Sequence, residues 1–374
     1  MRFWGGQRLL VAVVLVVALP ACGGEGDAPS APVAADTPTA MPCGREADTG
    51  AAGPDGIVPL GAFVSVSNDF TDVWLWGSRV AYVSEERAVV VCDLRTGEAR
   101  VVGRVDRAKE FVGGVRAHGD TVVWTEYENT MHPEGAAPWV MRVHDLRRGR
   151  TSSIATGSPR GRYFTTPEPE IEGSTVVWLD LPANGPADDG PDLVAYELRT
   201  GTRRTLSSGT YPYSPHITQG QVYFSAKTEE SRDLFVVPAD GSSPPRRLTH
   251  EGGVDELDAR NGWVTWLRFP VHHDPRETIG DLPVVALRIG TTETRVVASG
   301  VHPPRAGNGV VFGSSVEVNG YFVVNADGTD LRTFPNTEHQ ADWSIDGNRV
   351  AWSTVDNPLG KRKPAYLRIG RVER

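Results

Sequence analysis

The sequence predicts an all-β fold: seven copies of a four-stranded unit closed into a ring, behind a short leader and a tether. Three observations predict it. One strand motif recurs seven times, at spacings of 40 to 54 residues. A polar turn ending in glycine follows each copy. Beyond the leader, no stretch longer than about ten residues carries a helical period.

Composition agrees. The 374 residues include 41 Gly and 28 Pro, which suits many tight turns. A formal net charge of −9 excludes the basic footprint of a nucleic-acid binder. Three cysteines in such a chain exclude a disulfide scaffold and a cysteine-rich zinc fold.

In chain order, Arg2 and Arg8 come first, then an apolar run over residues 9–21. That run is shorter than the ~20 residues needed to cross a bilayer. Charge, short apolar run and small-residue exit together read as a signal peptide. The exit, Leu19-Pro20-Ala21-Cys22, resembles a bacterial lipobox. The resemblance implies that residues 1–21 are removed and that Cys22 is lipidated as the first mature residue. Ordinary secretion with a chance cysteine is the alternative. Cleavage takes two arginines with it and leaves a charge of −11.

Residues 22–56 form the tether. After Cys22 they are mostly Gly, Ala, Pro, Ser, Thr and Asp with almost no large apolar side chain. Such a segment buries too little surface to offset its ordering entropy. A lipobox cysteine carries at least two acyl chains, as stable anchoring requires. The expected location is therefore the extracytoplasmic side of a cell membrane. In that oxidising compartment Cys43 and Cys92 are a candidate disulfide, stapling tether to domain. Cys92 ends the strand-like run Val89-Val90-Val91-Cys92 and equally suits a reduced core position.

Residues 57–374 hold the repeats. The motif is a turn Gly, then Val, any residue and an aromatic, as in Gly119-Asp120-Thr121-Val122-Val123-Trp124 and Gly173-Ser174-Thr175-Val176-Val177-Trp178. The Val anchors are Val80, Val122, Val176, Val222, Val264, Val310 and Val350. The second pattern is a β run into a polar turn, such as Asp93-Leu94-Arg95-Thr96-Gly97. Glycine there supplies the positive φ of a tight hairpin. Four short strands at this period make a β-propeller blade, so the chain reads as a seven-bladed propeller. Val and the aromatic two residues on share a strand face and pack between neighbouring blades, which makes the tryptophans core. After Gly370 too little chain remains for a full outer strand. Residues 57–67 are predicted to complete the last blade and remove the exposed edges.

Trp343-Ser344-Ile345-Asp346-Gly347-Asn348-Arg349-Val350-Ala351-Trp352 resembles the TolB-type WSPDG repeat, with Ile345 at the usual proline position. Tyr213-Ser214-Pro215-His216-Ile217 begins another copy. The run from Asp233 to Gly241, and Asn325-Ala326-Asp327-Gly328, are similar to that family's outer hairpin. The resemblance covers residues 60–374 and implies a propeller of the TolB-like, WD40-like class. TolB has six blades and an additional N-terminal domain, for which this chain has no room, so TolB's periplasmic role is not carried over.

Loop lengths point to a working face. From Val anchor to hairpin Gly the seven distances are 17, 27, 25, 19, 26, 18 and 20 residues. Blades 2, 3 and 5 therefore carry insertions, at 127–138, 181–191 and 269–282. All three leave the same face, and loops on a rigid scaffold commonly carry function. The candidate binding residues they bring are His132, Asp188, Asp189, His272, His273, Asp274, Glu277 and Asp281. Solvated, tolerated insertions are the bland alternative.

His250, His302 and His339 fall in the links before innermost strands, His216 lies within such a strand, and Gln340 follows His339. Converging at one channel mouth, His250, His302, His339 and Gln340 are candidate ligands for a divalent metal. This loosely resembles the oligogalacturonate lyases, which are seven-bladed with His and Gln ligands. No tight ligand spacing accompanies it, and channel-lining histidines are the alternative. A Gly-x-Ser-x-Gly elbow, a P-loop and a dinucleotide fingerprint are absent.

Two functions follow. The first is a membrane-anchored, non-catalytic binding or scaffold module without a cofactor, taking an envelope protein, peptide or glycan. The second is a metal-dependent polysaccharide lyase or hydrolase using the channel-mouth histidines.

Overall fold

A computed structural model describes residues 57–61, 65–66, 73–84, 86–105, 110–128, 138–157, 167–180, 190–229, 231–270, 281–300, 302, 304–315, 320–335, 339–355 and 365–372. The predicted signal peptide and tether, with Cys22 and Cys43, lie outside them.

Each Val-x-aromatic motif forms the second strand of an antiparallel four-stranded sheet, and there are seven such sheets. Blade 1 shows the pattern, with strands Val73–Trp76, Arg79–Val83, Ala88–Asp93 and Glu98–Arg104 running from the axis outward. The innermost strands of blades 2 to 7 are Glu110–His118, Glu170–Glu172, Pro212–Thr218, Val254–Arg260, Arg305–Ala306 and His339–Asp346.

The ring closes as the termini predict. Ile57–Gly61 pairs antiparallel with Ala365–Val372, matching Ile57 to Val372, and Ser65–Val66 continues along the same strand. The N-terminal segment is thus the outermost strand of blade 7, whose other three strands come from the C-terminus.

Among the described residues the core is a set of seams between blades. Buried apolar side chains form seven clusters, and each joins two neighbouring blades. The seam of blades 1 and 2 shows why the motif has its spacing. Val122 and Trp124 face back onto Ala81, Val83, Val89 and Val91 of blade 1. Val123, between them, faces forward into the seam with Trp178 of blade 3. Alternation along one strand therefore serves two interfaces. Trp124, Trp178 and Trp266 are almost wholly buried, each such ring being worth about 3–5 kcal/mol against truncation.

Cys92 is buried in the seam between blades 7 and 1 and is disulfide-bonded.

Candidate functional site at the channel mouth

The innermost strands present one side chain each to the axis at a single level. Cross-strand register identifies them as the partners of the residue after each Val anchor: Trp74, Arg116, Glu170, His216, Asp258, Ala306 and Ser344. Propeller closure brings residues 40 or more positions apart into contact.

The polar members form one buried ionic cluster. Arg116 Nε donates to Glu170 Oε1 at 2.6 Å. Arg260 donates twice to Asp258 Oδ1, at 3.1 and 2.9 Å, and Arg305 once, at 3.3 Å. The Ala306 amide donates to Asp258 Oδ2 at 3.0 Å, tying blade 6 to blade 5. His216 Nδ1 lies 3.5 Å from both Glu170 and Asp258. Arg116 and Arg260 stack over the Trp74 ring at 4.6 and 4.3 Å, contacts that gain strength when desolvated. Arg260 also reaches the Ile345 carbonyl of blade 7, at 3.2 Å. These side chains plug the channel.

The plug sets the carboxylate charges. Burial alone would raise Asp258, but Arg260, Arg305 and His216 outweigh it and hold its carboxyl below the ordinary range. Glu170 behaves alike: burial opposes ionisation, while Arg116, His216 and Arg260 enforce it.

A cavity lies on each side of the plug. That at the turn-bearing ends of the innermost strands is about 300 Å³ and includes Trp74, Trp76, His118, Glu172, Arg260 and Asp346. Its carboxylates cap neighbouring turns. Glu172 accepts from the Gln219 and Gly220 amides at 2.7 Å each, and Asp346 from the Gly77 amide at 2.5 Å.

The second cavity, about 200 Å³, opens where the innermost strands begin, and its lining includes Arg116, Glu168, Tyr213, His216, Glu256 and Arg305. The antiparallel pairing of Val254 with Arg268 puts this end beside the exit of the 269–282 insertion. Here the strands depart from regular geometry. Their register shifts between Gly113 and Arg116, Tyr213 and His216, and Asp255 and Asp258. In each bulge one residue takes positive φ: Gly114 at 62°, Ser214 at 47° and Glu256 at 46°. At Gly114 the space is closed too, since a Cβ would stand 2.7 Å from Pro169. For Ser and Glu such a backbone costs about 1–3 kcal/mol, and bulges of this kind re-aim side chains beside functional sites.

Glu256 lies in the third of these bulges. It is half-buried, and its Oε2 is buried without a hydrogen-bond partner. Burial, then Asp255, push its carboxyl up, against the pull of Arg305. Tyr213 leaves 40% of its surface exposed, with Arg232 over its ring at 4.6 Å.

The residues singled out from sequence fall differently. His132, Asp188, Asp189, His272, His273, Asp274 and Glu277 lie outside the described residues. Asp281 is described, and its carboxylate accepts from Ser315 of the next blade. His250 and His302 are exposed, the ring of His302 standing edge-on to Trp343 at 5.9 Å. The side chains of His339 and Gln340 are outside those described. The described residues show no cluster of three or more His, Cys, Asp or Glu able to hold a metal ion. At the plug, three guanidinium groups oppose a cation, and Glu170 and Asp258 are already engaged by them.

Sequence reading passed over Trp74, Arg116, Glu170 and Asp258. They were findable, because each stands six residues before its Val anchor, as do His216 and Ser344.

No family model matches the chain, and no curated protein does. Solved structures do. An oligogalacturonate lyase from Vibrio parahaemolyticus is 12% identical, with a TM-score of 0.55 over 82% of this chain and 90% of that one. An oligogalacturonate lyase in complex with manganese is 11% identical, with a TM-score of 0.52 over 79% of this chain and 86% of that one. A putative TolB from Agrobacterium tumefaciens is 12% identical, with a TM-score of 0.42 over 71% of this chain and 90% of that one. The likeness is one of fold. Propellers of this kind host unrelated activities, so function rests on the site.

Proposed function

We propose that the protein is a non-catalytic binding propeller, held outside a cell membrane by a lipid on Cys22, which takes an envelope protein, peptide or glycan on its insert-bearing face. One observation carries the reading. The channel centre is filled by ion-paired side chains, while the insert-side mouth keeps a cavity lined by strained backbone at Ser214 and Glu256. A scaffold built for stability alone has no use for either. The oxidised state of Cys92 supports an exported protein, and we assign Cys43 as its partner.

A divalent metal does not fit the described part of the site. The plug is rich in guanidinium groups, and the described candidate histidines are exposed.

The test shortens 181–191 or 269–282 to a two-residue turn. Loop closure changes by only about 0.6 kcal/mol per doubling of length, so melting should hardly move. Partners cross-linked and identified from intact envelopes should be lost. Capture that survives both deletions, yet fails when the opposite-face turns at 95–97 or 199–201 are altered, overturns the reading.

A further inference from the structure

The insert-side cavity carries both signs of charge around an aromatic ring. Arg116 and Arg305 line it, and so do Glu168, Glu170 and Glu256. An anion there meets the carboxylates and a cation meets the guanidinium groups, so the lining favours no ion. What it offers is hydrogen bonds of both kinds. Arg305 spends one of its five N–H donors on the long bond from Nη1 to Asp258, and among the described residues its other donors have no hydrogen-bond acceptor. His216 turns Nδ1 to Glu170 and Asp258, and among those residues its Nε2 makes no hydrogen bond. Ser214 Oγ donates to the Leu257 carbonyl at 3.2 Å, which leaves its lone pairs to accept. Glu168 lines the same cavity with its side chain 71% exposed, a carboxylate acceptor open to solvent.

The Tyr213 ring is held as a platform. Arg232 stands over it at 4.6 Å and is itself fixed by Asp255 at 3.2 Å. Tyr213 lines the cavity and Arg232 does not, so the ring surface turned to the cavity is not the one that the guanidinium covers. The face of an aromatic ring is its negative side and draws polarised C–H groups. A pyranose presents such a C–H face, and around its edge hydroxyls that each donate and accept. A peptide brings only one N–H and one C=O per residue, spread over about 3.3–3.6 Å of chain, and cannot gather as many in so small a space. The volume is about 200 Å³. Pockets for drug-sized ligands run to about 300–1,000 Å³, so this one has room for a single ring.

We propose that this cavity binds one neutral hexopyranose ring, stacked on Tyr213, with hydroxyl oxygens accepting from Arg305 and a hydroxyl donating to Glu168. The proposal rests on the insert-bearing face being the working one, and narrows its occupant to a glycan. It is tested with single sugars and no envelope partner, so the two readings fail separately.

The experiment is calorimetric titration of the full chain with D-glucose, D-galactose, D-mannose and N-acetyl-D-glucosamine. At least one should bind, with saturation-transfer NMR showing contact at its ring C–H groups. Tyr213→Ala should weaken that sugar about tenfold, while Tyr213→Phe, which keeps the platform, should stay close to wild type. Arg305→Lys keeps a charge beside Asp258, loses the fork of donors and should also weaken the sugar. Thermal melting checks that all three variants fold. No sugar binding on the order of 10 mM overturns the proposal. So does a folded Tyr213→Ala protein that binds the sugar normally. D-galacturonate binding more tightly than D-galactose overturns it in favour of an anion site, and N-acetyl-L-prolinamide matching the best sugar overturns it in favour of a peptide.

Discussion

Removing Asp258 from the channel plug is the sharpest test of how the ring is held together. The carboxylate is fully buried, and it is the shared counter-ion of Arg260 and Arg305 and the acceptor of the Ala306 amide. Asp258→Ala leaves two guanidinium groups with no opposite charge at the same point and one amide orphaned. Breaking a buried pair in this way costs about 3–5 kcal/mol, most of it the penalty of the abandoned charge. Asp258→Asn keeps the size and an acceptor for Ala306 but removes the charge, so it should lose the larger part of that amount. Equilibrium urea unfolding reads both. With a slope of about 3 kcal/mol/M, fitting a domain of this size, the Asp258→Ala midpoint should fall by about 1–2 M at pH 7. The pH dependence follows from a carboxyl held below its usual value. Its stabilisation is complete above the unfolded value of about 3.9 and drains away as pH falls toward the folded one. Wild type and variant should therefore converge below about pH 4. An Asp258→Ala protein within about 1 kcal/mol of wild type at pH 7 would refute the ionic plug as a source of stability, as would a gap that does not narrow in acid.

Three further outcomes are expected. Glu256 has its carboxyl raised, so its protonated form stabilises the fold at low pH and this is lost as pH rises through the folded value. Glu256→Gln should raise the urea midpoint at pH 7 and match wild type near pH 4; a lower midpoint at pH 7 contradicts that reading. Cys22→Ala should move the protein from the membrane to the soluble fraction on cell fractionation, and a variant that stays with the membrane places the anchor elsewhere. Cys43→Ser should expose one alkylatable thiol at Cys92 in urea without reductant; a Cys92 that remains protected is bonded to another partner.

Alternation and spacing along the chain determined most of the fold. Val122 and Trp124 on one strand face, with Val123 on the other, demand a partner on both sides, and only a stack of sheets supplies it. Seven such motifs made closure by the 57–67 segment readable too, because the last blade lacked an outer strand and the segment before the first blade was a strand to spare. Loop lengths likewise marked the insert-bearing face. The site needed the tertiary structure. Arg116, Glu170, His216 and Asp258 stand at a repeated position, six residues before their Val anchors, but their side-chain types differ from repeat to repeat, and only the ring brings them into one ionic cluster. The exposed histidines His250 and His302 drew attention as ligands, while the histidine placed against two carboxylates is His216, inside a strand. Ser214 and Glu256 look like ordinary polar strand residues until bulges with positive φ reorient the backbone there. That reorientation depends on long-range sheet register, a property of paired strands that no single strand carries.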